Sequence, residues 1–198
     1  MGSGSIASRR AVFLDRDGVL NYNVPNPQTG ELEAPLTSAD FRLIPGVLQS
    51  LRLLQESGFL LILVSNQPNF AQGKATLNEL EAIHDKLKMV LDEAKISFTG
   101  FSYCFHHPRA VVRSLLGPCE CRKPSPYYLL RARDEHAIDL SQSWMVGDRD
   151  TDVQCGKSAG VRTIRISDGA AGVRAEAGAG GADFTVSNLV EAVGIVLA

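Results

Sequence analysis

The chain has 198 residues, with 20 Lys and Arg against 22 Asp and Glu, a formal net charge of −2 and a pI near 6.1. That balance lacks the basic excess expected of a nucleic-acid partner, and no apolar run approaches the ~20 residues of a membrane helix. A chain this long buries a core without covalent staples, so its four cysteines need another explanation.

The start "MGSGSIASRR" is Gly/Ser-rich and has no apolar signal core. Residues 1–8 are expected to be a disordered tail or vector remnant, and 9–198 a single domain of a soluble, cytoplasmic, monomeric protein. The first buried strand is "AVFLD" at 11–15, followed by the interruption "NYNVPNPQTGELEAPLTSAD". Pro45 and Gly46 then open a helix carrying Leu48, Leu51 and Leu54, which Gly58 stops. A second strand, "LLILVSN" at 60–66, precedes a helix announced by the capping pair Thr76 and Glu79. After a Cys/His-bearing interruption, Ser125 and Pro126 open another helix. Strands "WMVGD" at 144–148, "RTIRIS" at 162–167 and "DFTV" at 183–186 complete the pattern, the last two separated by the low-complexity tract "DGAAGVRAEAGAGGAD". Alternating strands and helices predict an α/β fold, a Rossmann-like three-layer sandwich with a mostly parallel sheet covered on both faces. In such sheets ligands bind beyond the carboxyl ends of the strands.

Polar residues at those ends therefore matter most. Asp15 and Asp17 close the first strand two residues apart, and such neighbours repel unless a cation or shared proton compensates. Mg²⁺, a hard cation taking oxygen ligands, is the natural compensation. "MVGDRDTD" ends another strand in Asp148; if the two strands are neighbours, Asp15, Asp17 and Asp148 converge on one ion. Asp152 is expected to hold the loop or the first helical turn, and Asp150 to be a plain N-cap outside the site. Ser65, Asn66 and Gln67 offer a hydroxyl and two amides to phosphate oxygens, and Lys123 offers a point cation before a capped helix.

The segment "YCFHHPRAVVRSLLGPCECRKP", residues 103–124, spaces Cys104, His106, Cys119 and Cys121 as C-x-H and, twelve residues on, C-x-C. Three soft thiolates and an imidazole suit a tetrahedral, structural Zn²⁺ with no open coordination position. His107 is a rival ligand to His106. Cys155 reads as a small buried apolar residue, and His84 and His136 as helix-surface residues.

Taken in order, "DRDGV", "VSN", "RKP" and "GDRDTD" resemble the four motifs of the haloacid dehalogenase superfamily of phosphatases, over about Ala11 to Ile166. The resemblance implies that Asp15 attacks phosphorus to give an aspartyl phosphate and that Asp17 is general acid, then general base. It also implies that Ser65 and Lys123 stabilise the phosphoryl group, with Mg²⁺ held by Asp15, the backbone carbonyl of Asp17, and Asp148. "CFHHP" and "CECRKP" beside "DRDGVLN" narrow the resemblance to the zinc-containing branch of heptose-bisphosphate and histidinol-phosphate phosphatases, which have no large cap domain. The loop spacing leans toward the heptose enzymes. Matched motif by motif, substrate contacts fall on Asn23, Val24, Pro25, Asn26, Ser65, Asn66, Gln67, Pro68, Arg122, Lys123 and Arg149, with Arg122 setting specificity and Arg109 and Arg113 solvated. The ligand implied is a small phosphorylated molecule. "SNQPNFAQG" and Arg149 depart from the heptose pattern, which leaves histidinol phosphate or another small sugar phosphate as the alternative substrate. A receiver-like phospho-acceptor domain is the non-enzyme reading; it lacks the second aspartate and the Cys/His loop.

Overall fold

Six parallel strands form the main sheet of the computed structural model, which describes residues 8–26, 30–167 and 181–198. The Gly/Ser-rich start and most of the Ala/Gly tract fall outside the described residues. In chain order the strands are β1 (Ala11–Leu14), β2 (Val24–Pro25), β3 (Leu32–Glu33), β4 (Leu60–Asn66), β5 (Gly100–Cys104), β6 (Trp144–Gly147), β7 (Arg162–Ile166) and β8 (Phe184–Val186). The helices are α1 (Val47–Glu56), α2 (Leu77–Glu93), α3 (Tyr127–His136), α4 (Asp150–Ala159) and α5 (Leu189–Val196). The main sheet runs β5-β4-β1-β6-β7-β8, and β2 and β3 pair antiparallel as a separate small hairpin.

The period of two along each strand explains the layers. Val12, Leu14, Leu61, Leu63, Trp144 and Val146 pack on one face with the apolar stripes of α1, α2 and α5. Ala11, Phe13, Ile62, Val64 and Met145 face the other way, onto Leu129 and Ala132 of α3 and Cys155 and Ala159 of α4. Phe13 and Trp144 are fully buried, each contributing about 2–3 kcal/mol by area removed from water. The predicted three-layer architecture is therefore present, with a main sheet that is wholly parallel. Among the described residues the insertion after β1 holds no domain, only the β2–β3 hairpin, and no helix is long and apolar enough to cross a membrane.

The chain order reverses between β1 and β6, which register side by side with Leu14 opposite Val146. This is the crevice where an α/β sheet accepts ligands. The Asp15 N–H donates to Val146 O at 3.0 Å, so the residue after β1 is fixed against the end of β6.

Thr76 and Glu79 make the expected reciprocal cap on α2. Three expectations need correction. Strand β5 lies outside the predicted strands, with only Tyr103 and Cys104 inside the Cys/His-bearing segment; it is an edge strand with weak burial alternation, paired to β4 from Gly100 to Cys104. Asp150 is not the N-cap of α4: Arg149 occupies that position, and the Asp150 carboxylate accepts from Arg165 Nη1 at 2.7 Å. His84 is not a plain surface residue, since its Nδ1 lies 3.0 Å from Tyr103 Oη and its ring stands edge-on to Phe101 and Tyr103. Burial, with Lys88 nearby, lowers its pKa. Cys155 is fully buried as expected, its thiol donating to Ser125 O at 3.1 Å.

Candidate active site

Asp15, Lys123 and Asp152 form a buried ion-pair chain at the β1–β6 crevice. Lys123 Nζ lies 3.0 Å from Asp15 Oδ1 and 2.6 Å from Asp152 Oδ1, and donates to Val64 O at 2.6 Å. Two ion pairs and one hydrogen bond therefore surround the ammonium. Burial alone would lower the pKa of Lys123, but Asp15 and Asp152 outweigh it and raise the value above the ordinary range. The lysine is locked as a cation beside Asp15.

The other oxygen of Asp152 accepts the Arg149 N–H at 3.0 Å, so this carboxylate fastens the first turn of α4 as well as Lys123. Gly147 makes room for it: a Cβ there would strike the Asp152 side chain. Gly18 does the same for Asp148, and its φ of 78° independently favours glycine. Asp148 receives one weak hydrogen bond, from Asn23 Nδ2 to Oδ2 at 3.4 Å, while its buried Oδ1 has no donor and stands 3.9 Å from Arg149 Nε. Burial first, then Asp15 and Asp152, pushes the Asp148 carboxyl up to about 7.

Asp15, Asp148 and Asp152 each offer an oxygen within 4.8 Å of the others. Three clustered carboxylates against one lysine leave uncompensated negative charge, which fits a hard divalent cation. Asp152 is engaged at both oxygens, by Lys123 and the Arg149 N–H, and Asp15 at one, whereas the buried Asp148 Oδ1 has no donor and is the oxygen most open to an ion beside Asp15. The Asp17 carboxylate is turned elsewhere: Oδ1 accepts from Arg16 Nε at 3.1 Å and Asn21 Nδ2 at 2.9 Å, and Oδ2 from Arg16 Nη2 at 3.3 Å and Gln67 Nε2 at 2.5 Å. Arg16, its guanidinium almost wholly buried, also borders a second, largely apolar cavity of about 530 Å³ with Tyr103 and His84.

Cys104 Sγ, Cys119 Sγ, Cys121 Sγ and His106 Nδ1 form the other cluster, all within 4.8 Å of one another and the three sulfurs 3.2 to 3.6 Å apart. The sulfurs are too far apart for disulfides, and all four cysteines are free. Tetrahedral Zn–S bonds of about 2.3 Å place ligand atoms roughly 3.8 Å apart, so the donor set and spacing suit Zn²⁺. His106 joins the cluster and His107 does not; the latter faces Gln72 and accepts the Arg109 N–H at Nδ1. Burial, followed by contact with Cys121, raises the pKa of Cys104. Arg122 Nη1 donates to His106 O at 3.0 Å, tying the end of the loop to its first ligand pair.

A cavity of about 970 Å³ opens over these groups, lined among others by Asp15, Asp17, Asn66, Pro68, Arg122, Lys123 and Arg149. Asn66 also clamps the lysine backbone, its Nδ2 donating to Lys123 O and its Oδ1 accepting the Lys123 N–H, both at 3.1 Å. Ser65 and Gln67 are buried behind that wall rather than lining it. Asn23 turns to Asp148, and Val24, Pro25 and Asn26 do not line the cavity; the opposite side of the hairpin, Glu31 to Ala34, does. Glu33 pairs with Lys74, bracing the hairpin against the loop before α2. Arg109 and Arg113 are exposed.

Sequence reasoning undervalued Asp152, Arg16 and Asn21. Asp152 sits at the third position of α4, shortly after the strand-end Asp148, and its side chain turns back to the crevice. Nothing in the spacing marks Arg16 or Asn21, whose role depends on the tight turn after β1.

A family model described as HAD-hydrolase-like matches residues 120–192. The chain is 38% identical over 153 residues to the D-glycero-beta-D-manno-heptose-1,7-bisphosphate 7-phosphatase of Escherichia coli K12, covering 77% of this chain and 76% of the relative. It is 35% identical over 181 residues to the protein of the same name from Salmonella typhi, covering 91% and 92%. Its fold matches the solved D,D-heptose 1,7-bisphosphate phosphatase of B. bronchiseptica, complexed with magnesium and phosphate, with a TM-score of 0.75 at 25% identity, covering 95% of this chain and 98% of that one.

Proposed function

The chain belongs to the haloacid dehalogenase-like phosphatases, and from that membership and its site we propose that it removes the 7-phosphate of D-glycero-β-D-manno-heptose 1,7-bisphosphate. The observation that carries the reading is the carboxylate of Asp15, held 3.0 Å from a locked lysine cation at the mouth of a cavity. Substrate identity draws its support from relatives that bear this activity in their names.

In this reading an Asp15 oxygen bonds to phosphorus as the bond from phosphorus to the sugar oxygen breaks. Asp17 protonates the departing oxygen, then takes a proton from the water that attacks the aspartyl phosphate. Lys123 offsets charge on the phosphoryl oxygens, and Arg122 presents a fork to sugar or distal phosphate oxygens. When bound by Asp15 and Asp148, with the Asp17 carbonyl as a further ligand, Mg²⁺ supplies charge neutralisation at the same centre. Cys104, His106, Cys119 and Cys121 would hold a structural Zn²⁺ and so fix the loop before Arg122, and cysteines outside any disulfide fit a reducing, cytoplasmic setting.

The test is kcat/KM for the heptose bisphosphate beside histidinol phosphate and simple sugar phosphates. A preference for the bisphosphate of about 100-fold is expected. Preference for histidinol phosphate would overturn the substrate, and release of a single phosphate per chain would favour the phospho-acceptor reading.

A further inference from the structure

Gln67 follows β4 and is buried to 1% exposure, yet its whole amide is engaged. Nε2 lies 2.5 Å from Asp17 Oδ2 and 3.0 Å from Ser65 Oγ, and Oε1 accepts from Arg16 Nη2 at 2.7 Å. The orientation of the amide is forced. A guanidinium only donates, so Oε1 must face Arg16 and Nε2 must face Asp17 and Ser65. That polarity passes to both neighbours: Asp17 is met as an acceptor, and Ser65, accepting at Oγ, is left to donate its own hydroxyl proton elsewhere.

We propose that Gln67 is a positioning residue that sets Asp17, which lines the catalytic cavity, to exchange a proton with the leaving oxygen, and holds the buried Ser65 hydroxyl in place behind it. The proposal rests on the phosphatase reading above and replaces the substrate contact expected of Gln67, which does not line the catalytic cavity. As the Asp15–phosphorus bond forms and the ester bond breaks, the Asp17 proton moves to the departing oxygen. The carboxylate left behind is received by Arg16, Asn21 and Gln67, all donors. In the second step water attacks phosphorus, its proton returns to Asp17, and the Asp15–phosphorus bond breaks. Gln67 therefore matters in proportion to the leaving group's need for a proton.

The leaving group supplies the test. Gln67→Met keeps the volume and removes the amide; Gln67→Glu keeps the acceptor for Arg16 and removes the donor; Arg16→Lys keeps the charge and loses the fork that fixes the amide. Each is assayed as magnesium-loaded enzyme on an alkyl phosphate, the sugar bisphosphate, and on p-nitrophenyl phosphate, whose leaving group departs without protonation. For all three variants kcat on the alkyl ester should fall roughly 100-fold, the scale of general acid catalysis. That fall should exceed the fall on the aryl ester at least tenfold, with KM changing less than threefold. Equal falls on both esters, an unchanged alkyl kcat, or an effect mainly on KM would overturn the assignment. Loss of a cooperative thermal transition in all three variants would overturn it too, by making the clamp a folding element. A parent enzyme that turns over neither ester fails the phosphatase reading itself, a result the variants cannot produce.

Discussion

The acidic crevice and the Cys/His loop both gather metal-binding side chains, but they are held in opposite ways. Asp15 leaves a fully buried strand with its N–H on the neighbouring strand, and Lys123, Asp152 and Asn66 brace one another through ion pairs and backbone hydrogen bonds. The loop crosses exposed residues such as Val111 and Leu116 and is tied back by its own backbone bonds, His107 to Leu115 and Val111 and Val112 to Ala71, while of its four ligand side chains only Cys104 stands on the sheet. The crevice is organised by the sheet, whereas the loop gathers four ligand atoms that a metal ion would hold together. Lys123 sits at the junction and has supports on both sides, while Arg122 depends on the loop through His106 O.

The contrast breaks most sharply at Asp15. Asp15→Asn keeps the shape of the crevice, since Lys123 retains Asp152, but removes the nucleophile; kcat should fall by at least roughly 10⁴-fold with little change in thermal midpoint. Substantial residual turnover by the purified variant would mean that another group attacks phosphorus.

Zinc removal strikes the other region. The protein should carry about one tightly held zinc per chain, and its withdrawal with a transition-metal chelator, excess magnesium being maintained, should lower kcat/KM by about 100-fold. Because Lys123 keeps its crevice contacts, most of that loss should appear in KM, along with faster proteolysis at Arg109 and Arg113. A loss confined to kcat would mean that the loop acts through Lys123 after all.

A smaller effect concerns pH. Asp148 has its folded-state pKa raised to about 7 from an ordinary 3.8, chiefly by burial. A raised pKa contributes stability that is fully present below the unfolded value and lost as pH rises through the folded value. Metal-free protein should therefore lose stability between about pH 4 and 7, by roughly 2 kcal/mol once partial solvent exposure is allowed for. Magnesium should raise the thermal midpoint more at pH 8 than at pH 5, and Asp148→Asn should flatten that difference. Equal stabilisation at both pH values would place the ion away from Asp148.

The smallest change is expected from Arg109→Ala and Arg113→Ala. Both residues are exposed, and kcat/KM should stay within about twofold. A large loss would move substrate recognition into the middle of the loop.

Both regions were visible in the sequence, to different depths. Strands β1, β4, β6 and β7 could be read from short apolar runs because buried parallel strands need such runs, and the carboxylates and polar groups at their ends followed. Strand β5 could not, since an edge strand with a half-exposed Gly-Phe-Ser-Tyr-Cys run carries little alternation. The Cys/His spacing showed the loop's donors, but choosing His106 over His107 required the backbone. Asp150 and Asp152 were separable only by direction: the helix start turns one to Arg165 on the surface and the other to Lys123 in the crevice. The hairpin's inward strand and the orientation of Gln67 depend on register and hydrogen-bond polarity, which residue types alone do not encode.

The most direct measurement is to trap the intermediate. Substrate labelled in the scissile phosphate is mixed with enzyme, quenched in acid within one turnover, reduced with borohydride and mapped by peptide mass. Label on the chain before reduction, its release on reduction and conversion of residue 15 to homoserine, all absent in Asp15→Asn, are the predicted results. Turnover with no label on the chain, or reduction at a different carboxylate, would contradict the account.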